Sequence, residues 1–528
     1  MDPDSDQVGP LQRLGRIQHL VQHSSIIGRG QSGDHDGFPS PVSGKIRLGL
    51  ACQKCMTLTY QVAGTPFGRC VLAEELLDSD DILLIIFIFY RDESPFHWHR
   101  LAHVCQRWRR IVFASPHTLR LFLSCTSSTP VGRTIDCWPP LPLILRFDSW
   151  PSYAPEGDDN IVAALQHHDR IRCIELFLTD SLVEKLNTHV TEPFSELVEL
   201  FIQSESNKPL ILPGPRHWSM HLRILHLKRS FLPSLPVLLF FSPNLVCLEL
   251  HDLPVGFPSP GVLAYALDGM CQLESLSLHC FHTSPLMDAP VPIPSKRPVL
   301  PVLTKLHFQE VVEYLGDLVA GIDAPCLRKF SVTLGYLSNS QTDKLSQLGQ
   351  FLSRTEAQRS HTQVEIQISD NHILIVFSAH QSPSHFILTI DCTGLYNQLS
   401  IMTGVFNHFP ASLLGLEDLG VITGSLSCRP QSVDDESWIC LLCPFSNAAR
   451  FHLAGNFAKP IMHALQKAEQ ESKTVLPALH KLFIEMDPHC DWEPLWPDVR
   501  SFTALHQLSS HPIDVEYDEL PCQCDLEE

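Results

Sequence analysis

Seven times between residues 171 and 332 the chain sets three apolar residues at positions i, i+3 and i+5. The triples are Ile171/Ile174/Leu176, Leu197/Leu200/Ile202, Leu222/Leu225/Leu227, Leu245/Leu248/Leu250, Leu273/Leu276/Leu278, Leu303/Leu306/Phe308 and Leu327/Phe330/Val332. Their starts lie 26, 25, 23, 28, 30 and 24 residues apart. The last two members of each triple are two residues apart, so in an extended chain they share one face. The first member ends the turn that leads in. One such triple means little, because leucine is common. Seven at similar spacing require a short strand and a returning segment in each unit, stacked on its neighbours to bury a continuous core. Weaker copies follow at Leu416/Leu419/Val421, Ala448/Phe451/Leu453 and Leu479/Leu482/Ile484.

Leucine-rich repeats run about 20–29 residues with this same core. The expected fold is therefore α/β: a leucine-rich-repeat-like solenoid with a parallel sheet over residues 171–510. The alternative is a set of unrelated α/β strands. Two stretches interrupt the pattern. Residues 284–301 hold six prolines, too many for a helix or a central strand, and read as an extended insert. Residues 339–415 lack the triple, but Val364/Ile366/Ile368, Ile373/Ile375/Phe377 and Phe386/Leu388/Ile390 alternate as the strands of a meander do. In the regular units Leu225, Leu227, Leu248, Leu250, Leu276 and Leu278 are expected in the core. The residues between them form a polar, histidine-rich stripe. His226, Glu249, His251, Ser277, His279 and His307, with Lys228 beside them, are the candidate target-binding residues. Unperturbed histidine titrates near pH 6.5, so four of them are expected to change charge across about pH 5.5–7.5.

Upstream, Ile82, Ile85, Ile86 and Phe89 fall on one face of a helix. Leu101, Val104, Cys105, Trp108, Ile111 and Val112 repeat that spacing on a second, with Arg100, Arg107, Arg109 and Arg110 largely opposite. Ser115-Pro116 ends the segment, since the residue before proline is pushed out of the helical region. Two short amphipathic helices cannot bury both faces alone and need a partner or the following domain. The stretch from Asp80-Asp81-Ile82 to Trp98-His99-Arg100 and Trp108-Arg109-Arg110 resembles an F-box, in the style of the fungal, basidiomycete-type proteins with a leucine-rich carboxyl part. Where that family opens with Leu-Pro, this chain has Asp78-Ser79. The resemblance implies an adaptor function without catalysis. The helices would dock on the Skp-type adaptor of a cullin-RING ubiquitin ligase, and the repeats would hold an unknown target protein for ubiquitination. It implies adaptor contact by Ile82, Leu83, Ile86, Phe87, Val104, Trp108 and Ile111. A non-ligase interaction scaffold with a degenerate F-box is the alternative. The domains expected are a poorly ordered segment 1–69, the F-box-like module 70–120, a linker and capping segment 121–170, the repeat domain 171–510 and an acidic tail 511–528.

Composition narrows the function classes. A net charge of −20 disfavours a sequence-independent grip on nucleic-acid phosphates. The opening residues lack the basic and apolar regions of a signal peptide. The longest apolar run, Ile82–Tyr90, is far short of the roughly 20 residues that cross a bilayer, so no membrane partner is expected. Eighteen scattered cysteines fit free thiols in the cytosol or nucleus. Gly28-x-Gly30-x-x-Gly33 matches a dinucleotide fingerprint, but the residues after it cannot open the helix that the motif requires. Cys52-x-x-Cys55 and Cys440-x-x-Cys443 have metal-ligand spacing, yet lie 385 residues apart. Cys70 and the His97, His99 and His103 group add no obvious fourth ligand, and Cys440 and Cys443 read as buried thiols. No nucleophile elbow, Walker loop or zinc-protease helix is present. No enzyme activity, cofactor or metal is expected.

Overall fold

The structure is a computed structural model that describes residues 79–519, except 94–97, 117, 120, 127–129, 133–134, 136–137, 139, 147–156, 255–256, 281–295, 338–340, 342–343, 380–381, 410–414, 424–432, 487–494 and 509–511. The expected segment 1–69, the Gly28–Gly33 run, Cys52, Cys55, Cys70, His97 and most of the proline-rich insert lie outside the described residues. Two units divide the chain, Met1–Ile86 and Phe87–Glu528. The described part of the first is the opening of helix α1.

Three helices stand first: α1 (Asp80–Glu93), α2 (His99–Ala102) and α3 (Gln106–Ala114). The expected single second helix is broken into α2 and α3. Cys105 takes an extended conformation, and its sulfur accepts a 3.5 Å bond from the Trp108 amide, serving as N-cap of α3. Arg109 Nε donates to the Ala102 carbonyl at 2.9 Å, satisfying an orphan acceptor at the end of α2.

The rest is α/β. Sixteen strands form one mostly parallel sheet among the described residues. They are β1 (Leu123–Cys125), β2 (Leu143–Arg146), β3 (Ile171–Leu178), β4 (Glu199–Ser204), β5 (Ile224–Lys228), β6 (Cys247–His251), β7 (Ser275–His279), β8 (Lys305–Glu310), β9 (Lys329–Leu334), β10 (Gln363–Ile368), β11 (His372–Ala379), β12 (Ser382–Asp391), β13 (Asp418–Thr423), β14 (Arg450–Ala454), β15 (Lys481–Met486) and β16 (Asp514–Glu519). Helices occupy most crossovers: α4 (Gly157–Leu165), α5 (Asp180–His189), α6 (Pro215–Trp218), α7 (Leu235–Phe240), α8 (Pro260–Leu267), α9 (Val312–Gly321), α10 (Leu345–Arg354), α11 (Leu395–His408), α12 (Asp435–Leu442), α13 (Ala458–Gln470) and α14 (Trp496–Leu508).

The apolar triples lie where their spacing requires. Each first leucine closes a tight turn: Leu222, Leu245, Leu273, Leu303 and Leu327 donate their amides to the carbonyl three residues back. In the next step one carbonyl of the preceding unit accepts two successive amides. Val198 accepts from Arg223 and Ile224, Arg223 from Val246 and Cys247, and Val246 from Glu274 and Ser275. That repeated bond sets adjacent strands level. Leu225, Leu248, Leu276, Leu306 and Phe330 consequently form one cross-strand row, and Leu227, Leu250, Leu278, Phe308 and Val332 the next. All ten are buried. Removing a leucine side chain from water stabilises by about 1.5–3 kcal/mol, so these rows are the main cohesive element.

Two boundaries differ from expectation. Within residues 121–170, expected as a linker and capping segment, β1 and β2 pair in parallel at the end of the sheet, because Leu143 and Leu145 continue the apolar rows toward Ile171 and Ile174. Residues 514–519 are no solvated tail. Val515 pairs with Leu482, and Lys481 binds Glu516 at 2.7 Å, so alternation wins over composition. Charge on such an edge strand discourages further pairing. The meander is present, but inserted in reverse: the sheet runs β9-β12-β11-β10-β13, with β11 alone antiparallel to its neighbours.

Candidate binding surface

Strand alternation sends every second side chain to the face opposite the buried rows. On β5, β6 and β7 that face is a grid. Ile224, Cys247 and Ser275 make its first row, His226, Glu249 and Ser277 the second, and Lys228, His251 and His279 the third. His307 on β8 extends the second row. The structure thus brings all six expected stripe residues together on one face. They are half-buried rather than protruding, with Ser277 more enclosed than the others.

The side chains lean on one another. His226 Nδ1 lies 3.3 Å from Glu249 Oε2, and His251 Nε2 lies 4.0 Å from the same oxygen. His251 Nε2 is also 3.0 Å from Ser277 Oγ. The rings of His226 and His251 are 5.3 Å apart, and those of His251 and His279 5.9 Å. Asp252 Oδ1 holds His279 Nδ1 at 3.2 Å, with Glu310 Oε1 3.8 Å from its other nitrogen. Asp252 itself sits in the left-handed region, φ 54°, where the chain leaves β6.

Crowding moves the titrations. Burial, and then the charge of His226, hold His251 below the usual histidine range, although Glu249 pulls the other way. Burial and His279 do the same to His307. Both rings therefore take up a proton at more acidic pH than a free histidine does. Cys247, beside Glu249, is pushed up to about 11 by burial and that carboxylate, so it remains a thiol.

The expected adaptor residues divide by exposure. Leu83, Phe87 and Ile111 are buried. Ile82 and Trp108 are half-buried, the Trp108 ring lying 4.8 Å from that of Phe87. Ile86 is 41% exposed and Val104 56%. Val104 stands in the break between α2 and α3. Phe89, also exposed, was absent from the expected set although it shares the helical spacing.

The sequence reading missed a groove of about 740 Å³ at the other end of the sheet. Glu365, Gly420, His452, Phe483 and Glu516 are its central cross-strand row. Gly420 leaves the floor open. Arg450 and Asp418 pair along one side, and Lys481 stacks on Phe483 at 4.6 Å. The available signal was Gly420 itself, since glycine within an alternating strand marks a close approach or a missing side chain. A shallower hollow of about 370 Å³ lies by the turns at Met220, Arg223 and Asn244 and carries no cluster of titratable groups.

No family model and no curated protein matches this chain. Its function therefore has to be read from its own residues. Cys440 and Cys443, expected buried, are both exposed, because Trp438, Ile439, Leu441 and Leu442 take the inward face of α12. No described helix is long and apolar enough to cross a membrane.

Proposed function

We propose that the chain is a substrate receptor of a cullin-RING ubiquitin ligase: an F-box-like helical module followed by a leucine-rich-repeat-like solenoid. The observation that carries this reading is the solvent exposure of Ile86 and Phe89 on α1 and of Val104 in the break between α2 and α3, while Leu83, Phe87, Ile111 and Val112 of the same segment are buried. Contiguous exposed apolar surface marks protein contact, and these side chains are where the module would offer it. The module would bind the Skp-type adaptor. The histidine stripe would hold a target protein, and other subunits would transfer ubiquitin. The receptor's own contribution is proximity, raising the local concentration of target lysines. A non-ligase scaffold is the second reading, favoured by Asp78-Ser79 where the F-box pattern has Leu-Pro.

Co-purification of the Skp-type adaptor with the full chain tests the first reading. Val104→Glu alters an exposed side chain and leaves the core intact, yet adaptor recovery should fall at least about tenfold, or 1.4 kcal/mol. Trp108→Ala should reduce it too, with some loss of stability. A variant with His226, His251, His279 and His307 all replaced should keep the adaptor and lose the target. Adaptor recovery by Val104→Glu equal to that of the unaltered chain would remove Val104 from the contact, and no adaptor recovered with the unaltered chain would favour the scaffold.

A further inference from the structure

Two strands, β5 and β6, place two imidazoles and a carboxylate close enough to share one ion. We propose that His226, Glu249 and His251 form a binding site for a divalent transition-metal ion of the zinc class, with an open coordination position facing solvent. One ligating atom from each of the three residues lies within 4.8 Å of the other two. Bonds of about 2.0–2.1 Å at tetrahedral angles put neighbouring ligand atoms about 3.3–3.4 Å apart. His226 Nδ1 and Glu249 Oε2 are already 3.3 Å apart, and His251 Nε2 is 4.0 Å from that oxygen, so small side-chain rotations complete the set.

The backbone explains the convergence. His226 and Glu249 are direct partners across β5 and β6, and His251 lies two residues beyond Glu249 on the same face. Buried Leu225, Leu227, Leu248 and Leu250 hold both strands, so the three ligands rest on a rigid base. Zinc sites with three protein ligands, including two histidines and one glutamate, keep a fourth position for water or an incoming group. Two nitrogen donors disfavour calcium and magnesium, which take oxygen ligands. The environment suits the ion as well. Ser277 Oγ, 3.0 Å from His251 Nε2, is placed to bond a water on the open position. His279, anchored by Asp252, packs edge-on against the His251 ring and fixes its orientation.

The site does not depend on the ubiquitin-ligase reading. If a protein docks on this face, its own carboxylate, imidazole or thiolate is the natural occupant of the fourth position.

The test uses the full chain, free of affinity tag and stripped with a chelator. Cobalt(II) is titrated while its visible ligand-field bands are followed, and zinc is then added in competition. One equivalent of cobalt should saturate the bands, and zinc should displace it. Glu249→Gln keeps the side-chain shape, and His251→Phe keeps the ring packing. Each should weaken binding by more than about tenfold, since even residues behind a ligand are worth that much. His452→Phe, which alters the separate His452–Glu485 pair at 3.1 Å, should bind as the unaltered chain does. X-ray absorption on the zinc-loaded unaltered chain needs no variant. It should show nitrogen and oxygen neighbours without sulfur. No saturation at one equivalent, unchanged binding by both Glu249→Gln and His251→Phe, or a sulfur shell would each overturn the proposal.

Discussion

The parallel run β3–β9 and the meander β10–β12 belong to one sheet but fill their interiors differently. In the parallel run, crossover helices return between most strands, and leucine dominates the buried rows. In the meander, three strands follow one another with no helix between them. There one row turns aromatic, Phe330, Phe386 and Phe377, while the other two stay aliphatic. Phe377 stacks on Phe386 at 5.5 Å, Phe386 on Phe330 at 5.2 Å, and Phe409 tilts against both Phe377 and Phe386. Phe406 links this group to Phe445 at 4.8 Å. Larger side chains fill volume that crossover helices supply elsewhere. A continuous sheet thus constrains the register of its apolar rows, and it leaves the means of covering them free.

The sharpest way to break this comparison is to empty the aromatic cluster. Phe386→Ala should cost about 3–5 kcal/mol in urea unfolding and Leu248→Ala about 2–5, with Phe386 the larger. The ordering follows because cavity cost grows where the surroundings cannot collapse. A smaller loss at Phe386 would show that the meander is loosely filled.

A second difference lies in the histidines. In the stripe His226, His251 and His279 lie beside carboxylates, whereas His361, beside the Phe377 ring, is buried with neither ring nitrogen hydrogen-bonded. Burial, with His385 adding repulsion, pushes its pKa down to about 4. Above the unfolded value near 6.5 the ring is neutral in both states and contributes no pH dependence. As pH falls below that value, the unfolded chain takes up a proton that the folded chain refuses, so stability is lost. The loss should reach about 2 kcal/mol by about pH 5 and about 3 by about pH 4. Urea midpoints of the unaltered chain and of His361→Phe, compared at about pH 7.5 and about pH 5, should separate this contribution from other titrations. Equal pH dependence in the two chains would place the acid sensitivity outside the meander.

The smallest effect sharpens the contrast between stripe and groove. Gly420 opens the groove floor, and an added Cβ would meet Glu365 only at 3.5 Å, an ordinary contact. Gly420→Ala should therefore stabilise β13 by about 0.5–1 kcal/mol, read as a rise in the unfolding midpoint. A fall would mean that the added methyl group crowds Glu365 or the Val364 carbonyl.

The regular units were legible because two local signals coincide, a turn-closing leucine and a period of two. The meander's alternation was legible as well, but its reversed placement was not, since alternation within a strand carries no information about which neighbour it pairs. Asp514–Glu519 was read as a tail because five charged or aromatic residues mask the single aliphatic Val515. The stripe followed from register. The convergence of His226, Glu249 and His251 did not, because it depends on side-chain directions across strands whose leucine triples start 23 residues apart. The break at Cys105 was hidden by an apolar spacing that continues through it.

The order β9-β12-β11-β10-β13 also bears on how the chain assembles as it leaves the ribosome. Up to β9 each new strand can lie against the one made just before it, so the sheet can lengthen in step with synthesis. At β10 that progression stops. The place beside β9 belongs to β12, about 50 residues further along, and β10 pairs only with β11 and β13. The edge of β9 therefore stays open until residues 382–391 have emerged, and only through that joint does the carboxyl part of the sheet meet the earlier strands.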